Sequence, residues 1–328
     1  MKKIIYRFSI IIFLIFASVI TYLSIIGLET NRFNEQIQNK VNDINPKIKI
    51  ELKKILLILD PINFQIKLKT LGPILKSQND EIQIESIKAD ILLNAIINKN
   101  FLPKNLEIST KSLEIKKIKS FTNNFNMGYR LLILQNFIKK GYLVANIKLY
   151  FDENGNIKKN FQANGAITDG KIKLLKDNSL EKINFFFNIN EKDIKLEEVD
   201  LRYNGLDLFF IKIDVKNIDN EFLVSGEINN KNFIVNKKYI ERFLDKNNLK
   251  VKKINLNSNN IFSFRINKKF KFKDFKLDSQ IKINELLINN DLKLKSFFPK
   301  IKNEIILRDH YLKINFDKNK LNVDGRGE

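Results

Sequence analysis

The chain has 328 residues, 44% of them hydrophobic, which is enough for one large or two ordinary domains and too apolar for intrinsic disorder. It contains no cysteine, and this excludes disulfides, thiolate metal sites and cysteine nucleophiles together. The net charge of +21 points toward anionic partners, but the lysines accompany Asn, Ile and Phe, the residues of A/T-rich codons, and alternate with apolar residues as a solvated strand face requires. No basic–aromatic motif for nucleic acid occurs, and no nucleic-acid partner is expected.

The first element is the uncharged stretch over residues 8–28, FSIIIFLIFASVITYLSIIGL, with Phe8, Ile12, Leu14, Ile20 and Leu28 as anchor residues. At about 1.5 Å per residue, a helix of this length crosses a hydrocarbon core of about 30 Å. Lys2, Lys3 and Arg7 precede it, so the N-terminus is expected in the cytoplasm and the remainder outside it. A cleaved signal peptide has a shorter apolar core followed by a small-residue cleavage site; here the run is longer and no such site follows, which favours an uncleaved signal anchor.

Next, Phe33, Ile37, Val41 and Ile44 stand at helical spacing, and Pro46 ends this short helix. From Lys47 onward the period is two. Ile48, Ile50 and Leu52 alternate with charged residues; Leu57 and Leu59 lead to a turn at Asp60-Pro61; Phe64, Ile66 and Leu68 run to Gly72-Pro73. Ile82, Ile84, Ile87, Ala89 and Ile91 make a strand whose phase breaks at Glu85-Ser86, the mark of a bulge. Short helices are expected over 92–98 and 129–140, the second capped by Gly141, with a strand carrying Leu106, Ile108, Leu113 and Ile115 between them.

Residues 142–229 predict a meander: strands over 143–151, 161–167, 183–189, 194–201, 209–215 and 222–228, with turns at Glu153-Asn154-Gly155, Asp169-Gly170 and Asn204-Gly205. A helix over 236–245 precedes a last block with Val251, Ile254 and Leu256; Phe262, Phe264 and Ile266; Phe270, Phe272, Phe275 and Leu277; Ile281 and Ile283; Leu292 and Leu294; Leu312, Ile314 and Phe316; Leu321 and Val323. The chain stops right after a strand, so a longer natural protein or a truncated copy is expected. The organisation is 1–28, cytoplasmic N-terminus and anchor; 29–141, a β-groove segment with helices; 142–229, a β-meander; and 230–328, a short helix and further meander.

His310 is the single histidine, so no His-based triad or His-rich metal site can be assembled, and it reads as a surface or turn residue. Asp152, Glu153, Asp169 and Asp177 lie in Gly- and Asn-containing turn-like stretches, where turn chemistry explains them better than paired catalytic carboxylates. No G-x-x-x-x-G-K phosphate loop occurs. Neither an enzyme activity nor a cofactor or metal is expected. The 27 phenylalanines are the unusual constellation. Core packing and the lining of an apolar groove explain them equally, and the groove candidates are Phe161, Phe185, Phe187, Ile189, Phe209, Ile211, Phe222, Phe262, Phe264 and Phe272.

About seventeen strands with one dry and one wet face offer more apolar surface than the few helices can cover. The solutions are a sandwich or barrel, several small sandwiches, or a curved open sheet with an apolar groove. A membrane barrel carries no helical anchor and is set aside. One continuous sheet at about 4.8 Å per strand runs to about 80 Å, a trough rather than a closed core. The expected fold class is therefore mainly β: an N-terminal transmembrane helix followed by a long curved antiparallel β-sheet, forming an elongated groove, with a few short helices. Such a trough would take acyl chains, each methylene contributing about 0.8 kcal/mol on leaving water, with rim lysines for anionic head groups.

The anchor followed by LETNRFNEQIQNKVN (28–42), the strand pair ending ILLILDPINFQIKLKTLGPIL (55–75), and repeats such as FQANGAITDGKIKLL (161–175) and EFLVSGEINNKNF (221–233) resemble the AsmA-like proteins of Gram-negative bacteria, the group that includes AsmA, YhdP and TamB. The resemblance implies a single-pass inner-membrane anchor, a periplasmic β-groove and phospholipid transport towards the outer membrane. The implied partners are phospholipid acyl chains, the inner membrane and an envelope protein at the far end. A second reading is a scaffold or assembly factor for outer-membrane proteins acting by β-strand addition, which an exposed, lysine-poor edge strand near the C-terminus would favour.

Overall fold

Helix α1 (Lys2–Ile25) opens the chain in the computed structural model, which describes residues 2–44, 46–77, 80–93, 103–122, 138–152, 156, 158–173, 179–203, 205–218, 221–236, 251–267, 271–289, 297–300, 302 and 304–327. Among these residues α1 is the helix long and apolar enough to cross a membrane. It ends before the apolar run does. Ile26 and Gly27 donate their backbone N–H groups to the Tyr22 carbonyl, and Gly27 takes φ +78°. A Cβ at Gly27 would stand 2.5 Å from the Leu57 carbonyl oxygen, so glycine is what lets the chain turn here. Leu28, expected in the anchor, is instead the first residue of strand β1 (Leu28–Thr30), in register with Leu57.

The contacts divide the chain into two compact units, Met1–Lys173 with Asn188–Glu191, and Leu174–Phe187 with Lys192–Glu328. The first continues with α2 (Asn34–Ile44), β2 (Lys49–Glu51), β3 (Ile55–Asp60), β4 (Gln65–Leu71), β5 (Ile74–Ser77), β6 (Asp80–Leu92), β7 (Pro103–Thr110), β8 (Leu113–Glu114), α3 (Ile115–Thr122), β9 (Ile138–Tyr150) and β10 (Gln162–Lys173). Antiparallel pairings run β1–β3–β4–β6–β7–β9–β10, with β2–β5 on the start of β6 and β8 on β9. The register slips between Ile84 and Ser86, where the alternation of the sequence breaks. The slip lets Ile82 and Ile84 bury against Phe121 of α3, with Leu75, Ile87, Ile108 and Leu113 packed around them.

Several local expectations are corrected. Phe64 is not a strand residue: it sits in the β3–β4 hairpin with φ +50°, 69% exposed. Ile115 starts α3 rather than continuing a strand. Gly141 caps no helix, because residues 138–140 already belong to β9, and Asp169-Gly170 is no hairpin turn but a bulge inside β10, with Asp169 at φ +50°. The physical reason is one close approach: a Cβ on Gly141 would lie 3.0 Å from the Gly170 Cα, so the two glycines serve strand contact, not chain reversal. The expected helix at 92–98 beyond residue 93, that at 129–140 before residue 138, and that at 236–245 beyond Asn236, with the turn at 153–155 and the strand at Leu292 and Leu294, lie outside the described residues.

The second unit contains β11 (Ser179–Asn190) up to Phe187, then β12 (Asp193–Tyr203), β13 (Leu206–Ile218), β14 (Glu221–Asn236), β15 (Val251–Ile266), β16 (Phe272–Asn289), β17 (Glu304–Asp317) and β18 (Lys320–Arg326). From β12 to β18 each strand pairs antiparallel with the next. The turns follow local chemistry. Gly205 at φ +89° joins Tyr203 to its partner Leu206, and Lys318 and Asn319, at φ +49° and +62°, close a type I′ turn before β18. Every described helix belongs to the first unit, so among the described residues the second is a single-layer sheet. The protein is thus mainly β, an open antiparallel sheet preceded by an apolar helix and accompanied by few short helices, the fold class that the alternation predicts.

Candidate functional site

The registers of the second unit decide which side chains share a face. Val215, Val224, Phe264 and Ile194 are successive partners across β12 to β15, and Leu196, Ile213, Gly226, Phe262, Leu277, Phe316 and Leu321 form the next row, across β12 to β18. A third row holds Val199, Phe210 and Ile228 at one end and Ile314 and Val323 at the other. Because partners across a ladder lie on the same side, these rows make one apolar face. It has no second layer among the described residues. Phe262, Phe264, Phe275 and Phe316 are accordingly half-buried, and the face runs out to Leu321 and Val323 at 61% and 54% exposure.

A chain of aromatic rings crosses this face. Phe210 meets Phe262 edge-on at 6.1 Å, Phe262 stacks on Phe264 at 6.0 Å, Phe264 lies 4.4 Å from Phe272, Phe272 5.9 Å from Phe275, and Phe275 5.7 Å from Phe316. Such pairs contribute about 0.5–1.5 kcal/mol each beyond their buried area. Two backbone devices assemble them. Strand β14 contributes Gly226, whose added Cβ would come within 2.6 Å of Phe262 Cζ, so the Phe262 ring lies across a strand that has no side chain there. In β16 the register slips between the pairs Ser263–Lys276 and Arg265–Lys273, with Asp274 at φ +55°. This bulge turns Phe272 and Phe275, three residues apart, toward the same face.

The structure brings together three of the groove candidates, Phe262, Phe264 and Phe272, and puts Phe222 on the same face opposite Ile266. Phe185 and Phe187 form their own edge-on pair at 6.5 Å on β11, with Phe187 buried. Phe161 and Ile189 are half-buried and belong to the first unit, Phe161 just ahead of β10. Phe209 and Ile211 are not on the aromatic face's rows. The register of β13 slips between Phe210 and Lys212, so Phe210 joins the rings while Phe209, opposite Asp200, is 40% exposed and Ile211 38%. Phe210, Phe275 and Phe316 are ring members that sequence reasoning left out. The Phe272-x-x-Phe275 spacing is a visible bulge signal, whereas the doublet Phe209-Phe210 carries no signal of which ring turns inward. His310 lies within β17, not in a turn, its Nδ1 2.6 Å from the Arg308 carbonyl oxygen.

A polar seam crosses the apolar face. Asn260 Nδ2 donates to Ser258 Oγ at 3.0 Å, Asn230 Nδ2 to the same oxygen at 3.3 Å, and Ser279 Oγ donates to Asn260 Oδ1. Beyond it Val251 and Ile288 are buried among Val235, Ile254, Leu286 and Leu307. On the opposite face charges pair across strands: Lys273 with Glu221 at 2.8 Å, Lys276 with Asp317 and Lys282 with Asp309 at 3.3 Å, and Lys253 with Glu285 at 3.7 Å. Hydrogen bonds to Tyr311 and then Asp309 raise the Lys282 pKa above its ordinary value. Exposed pairs contribute at most about 1 kcal/mol each. Their consequence is a wet face set against a dry one.

Fold and face together define a helix-led open-sheet protein whose apolar surface is aromatic and, among the described residues, single-layered. Compared with known family models, curated proteins and solved structures, the chain matches none of them.

Proposed function

We propose that this chain is an AsmA-like envelope protein, anchored by α1 in the inner membrane with its N-terminus cytoplasmic, whose periplasmic sheet takes phospholipid acyl chains on its aromatic face and supports their movement towards the outer membrane. The observation that carries this reading is the ring chain from Phe210 to Phe316 on a face that no described layer covers. A large exposed apolar surface needs an apolar occupant. About ten methylenes removed from water contribute about 8 kcal/mol, against an association cost of about 4–15 kcal/mol. Such binding is weak and non-directional, as a chain that must slide along the face requires.

The second reading, strand addition to outer-membrane proteins, rests on β18, whose seven residues are all exposed and which pairs only with β17 among the described residues. Lys320, Asp324 and Arg326 on that strand are charges of the kind that discourage edge pairing, so the acyl reading is preferred.

Native mass spectrometry of the full chain, purified in detergent, tests the choice. Phospholipid is expected to co-purify and to fall at least about fivefold in Phe262→Asp/Phe264→Asp, with far-UV circular dichroism unchanged. Phe272→Asp, at a 57% exposed position, is the milder variant if the double change unfolds. A folded wild type free of lipid would sink the acyl reading and favour the scaffold.

A further inference from the structure

The wet face of the second unit holds a cavity of about 750 Å³, the size of a small-molecule site rather than of a polymer track. Two rows of register partners build it. Asn259, Gln280, Lys313 and Asp324 are successive partners across β15 to β18, and Asn257, Lys282, Tyr311 and Arg326 form the row beside them. Lys231 and Asn232 close one end, where the Asn232 N–H donates to Asn257 Oδ1 at 2.7 Å. The Tyr311 ring is flanked by the Lys282 ammonium at 5.5 Å and the Arg326 guanidinium at 5.3 Å.

The charge pattern sets this cavity apart from the surrounding lysine-rich surface. On β15, β16 and β17, Lys252, Lys253, Arg265, Lys273, Lys276, Lys282 and Arg308 each have a carboxylate partner, and Lys313 is the described cation on those strands that has none. Neither Lys231 nor Arg326 is ion-paired with a described residue. Lys313, Lys231 and Arg326 therefore line the same cavity as these side-chain amides. Amides donate and accept, which suits hydroxyl groups, whereas Lys and Arg suit phosphate. Asp324 and the nearby Asp309 would repel an extended polyanion but leave room for one compact anion.

The geometry points to a binding site for a phosphorylated sugar or polyol, with Lys313 and Arg326, on adjacent strands, on the phosphate and Gln280, Asn257, Asn259 and Lys231 on the hydroxyl groups. The site lies on the face opposite the aromatic rings and does not depend on the acyl reading. The same chemistry comes from a free sugar phosphate or from the head group of a phosphoinositide-type lipid.

Isothermal titration calorimetry on the full chain in nanodiscs of zwitterionic lipid tests it, with glucose 1-phosphate, glucose and inorganic phosphate as separate titrants. Glucose 1-phosphate is expected to bind at least about tenfold more tightly than either fragment, and Lys313→Gln/Arg326→Gln to weaken it by about tenfold or more. Gln280→Leu should weaken the sugar phosphate but not inorganic phosphate, and Lys216→Gln on β13, outside the cavity, should change neither by more than about twofold. Equal affinity for inorganic phosphate and the sugar phosphate, an equal loss in Lys216→Gln, or no binding of any titrant would overturn the proposal. Inositol 1-phosphate against monomeric dioctanoyl phosphatidylinositol separates the sources: tighter binding of the lipid assigns a head group, equal binding a free sugar phosphate, and both support the site.

Discussion

Gly226 is the residue on which the aromatic face turns. Glycine is normally unfavourable inside a strand, and this one is buried in the middle of β14, where the Phe262 ring occupies the place of a side chain. Gly226→Val should force that ring away from Phe210 and break the chain of contacts at its first link. Expected outcomes are a loss of about 1–3 kcal/mol in urea unfolding, the range for overpacking, and a fall in co-purifying phospholipid. Unchanged stability and lipid content would show that the ring has room to move elsewhere. Nothing in the local sequence SGE marks this glycine as different from one in a turn; only its partners Ile213 and Phe262 do.

At the scale of elements, the β3–β4 hairpin shows how polar chemistry holds a turn. The Asp60 carboxylate accepts from Lys67 Nζ at 2.8 Å, from Asn63 Nδ2 at 2.9 Å and from the Asn63 N–H at 3.1 Å. These bonds, that from Lys67 foremost, hold its pKa far below the ordinary 3.8. Because the folded value is depressed, the associated stability is fully present above 3.8 and is lost as the pH falls from there toward the folded value. Asp60→Asn should therefore melt below wild type at pH 6, and the gap in Tm should close as the pH drops below 3.8. A gap that stays constant with pH would assign the hairpin to backbone geometry alone. The turn Asp60-Pro61 was legible because Pro and Asp are local signals, as was the bulge after Ile84, where alternation visibly breaks. The bulge at Asp169 imitates a turn, because Asp169-Gly170 is also hairpin chemistry, whereas the one at Asp274 shows in the sequence only as the Phe272-x-x-Phe275 spacing.

For the whole molecule, the proposed topology rests on the order of charge and apolarity at the N-terminus. A reporter active only outside the cytoplasm, fused after Arg326, should be active in the wild type and lose activity when Lys2, Lys3 and Arg7 are replaced by Asn, because basic flanks hold the preceding end inside. A silent wild-type fusion would reverse the topology proposed for the sheet. Sequence alone determined the apolar helix, the dominance of strands and the separation of a dry from a wet side, because each follows from periods of a few residues along one segment. Only the tertiary structure decided that α1 stops at Ile25, which rings meet, and that Lys231, Lys313 and Arg326 line one cavity. Those outcomes depend on register between strands far apart in the chain, and a single bulge reverses which side every later residue faces.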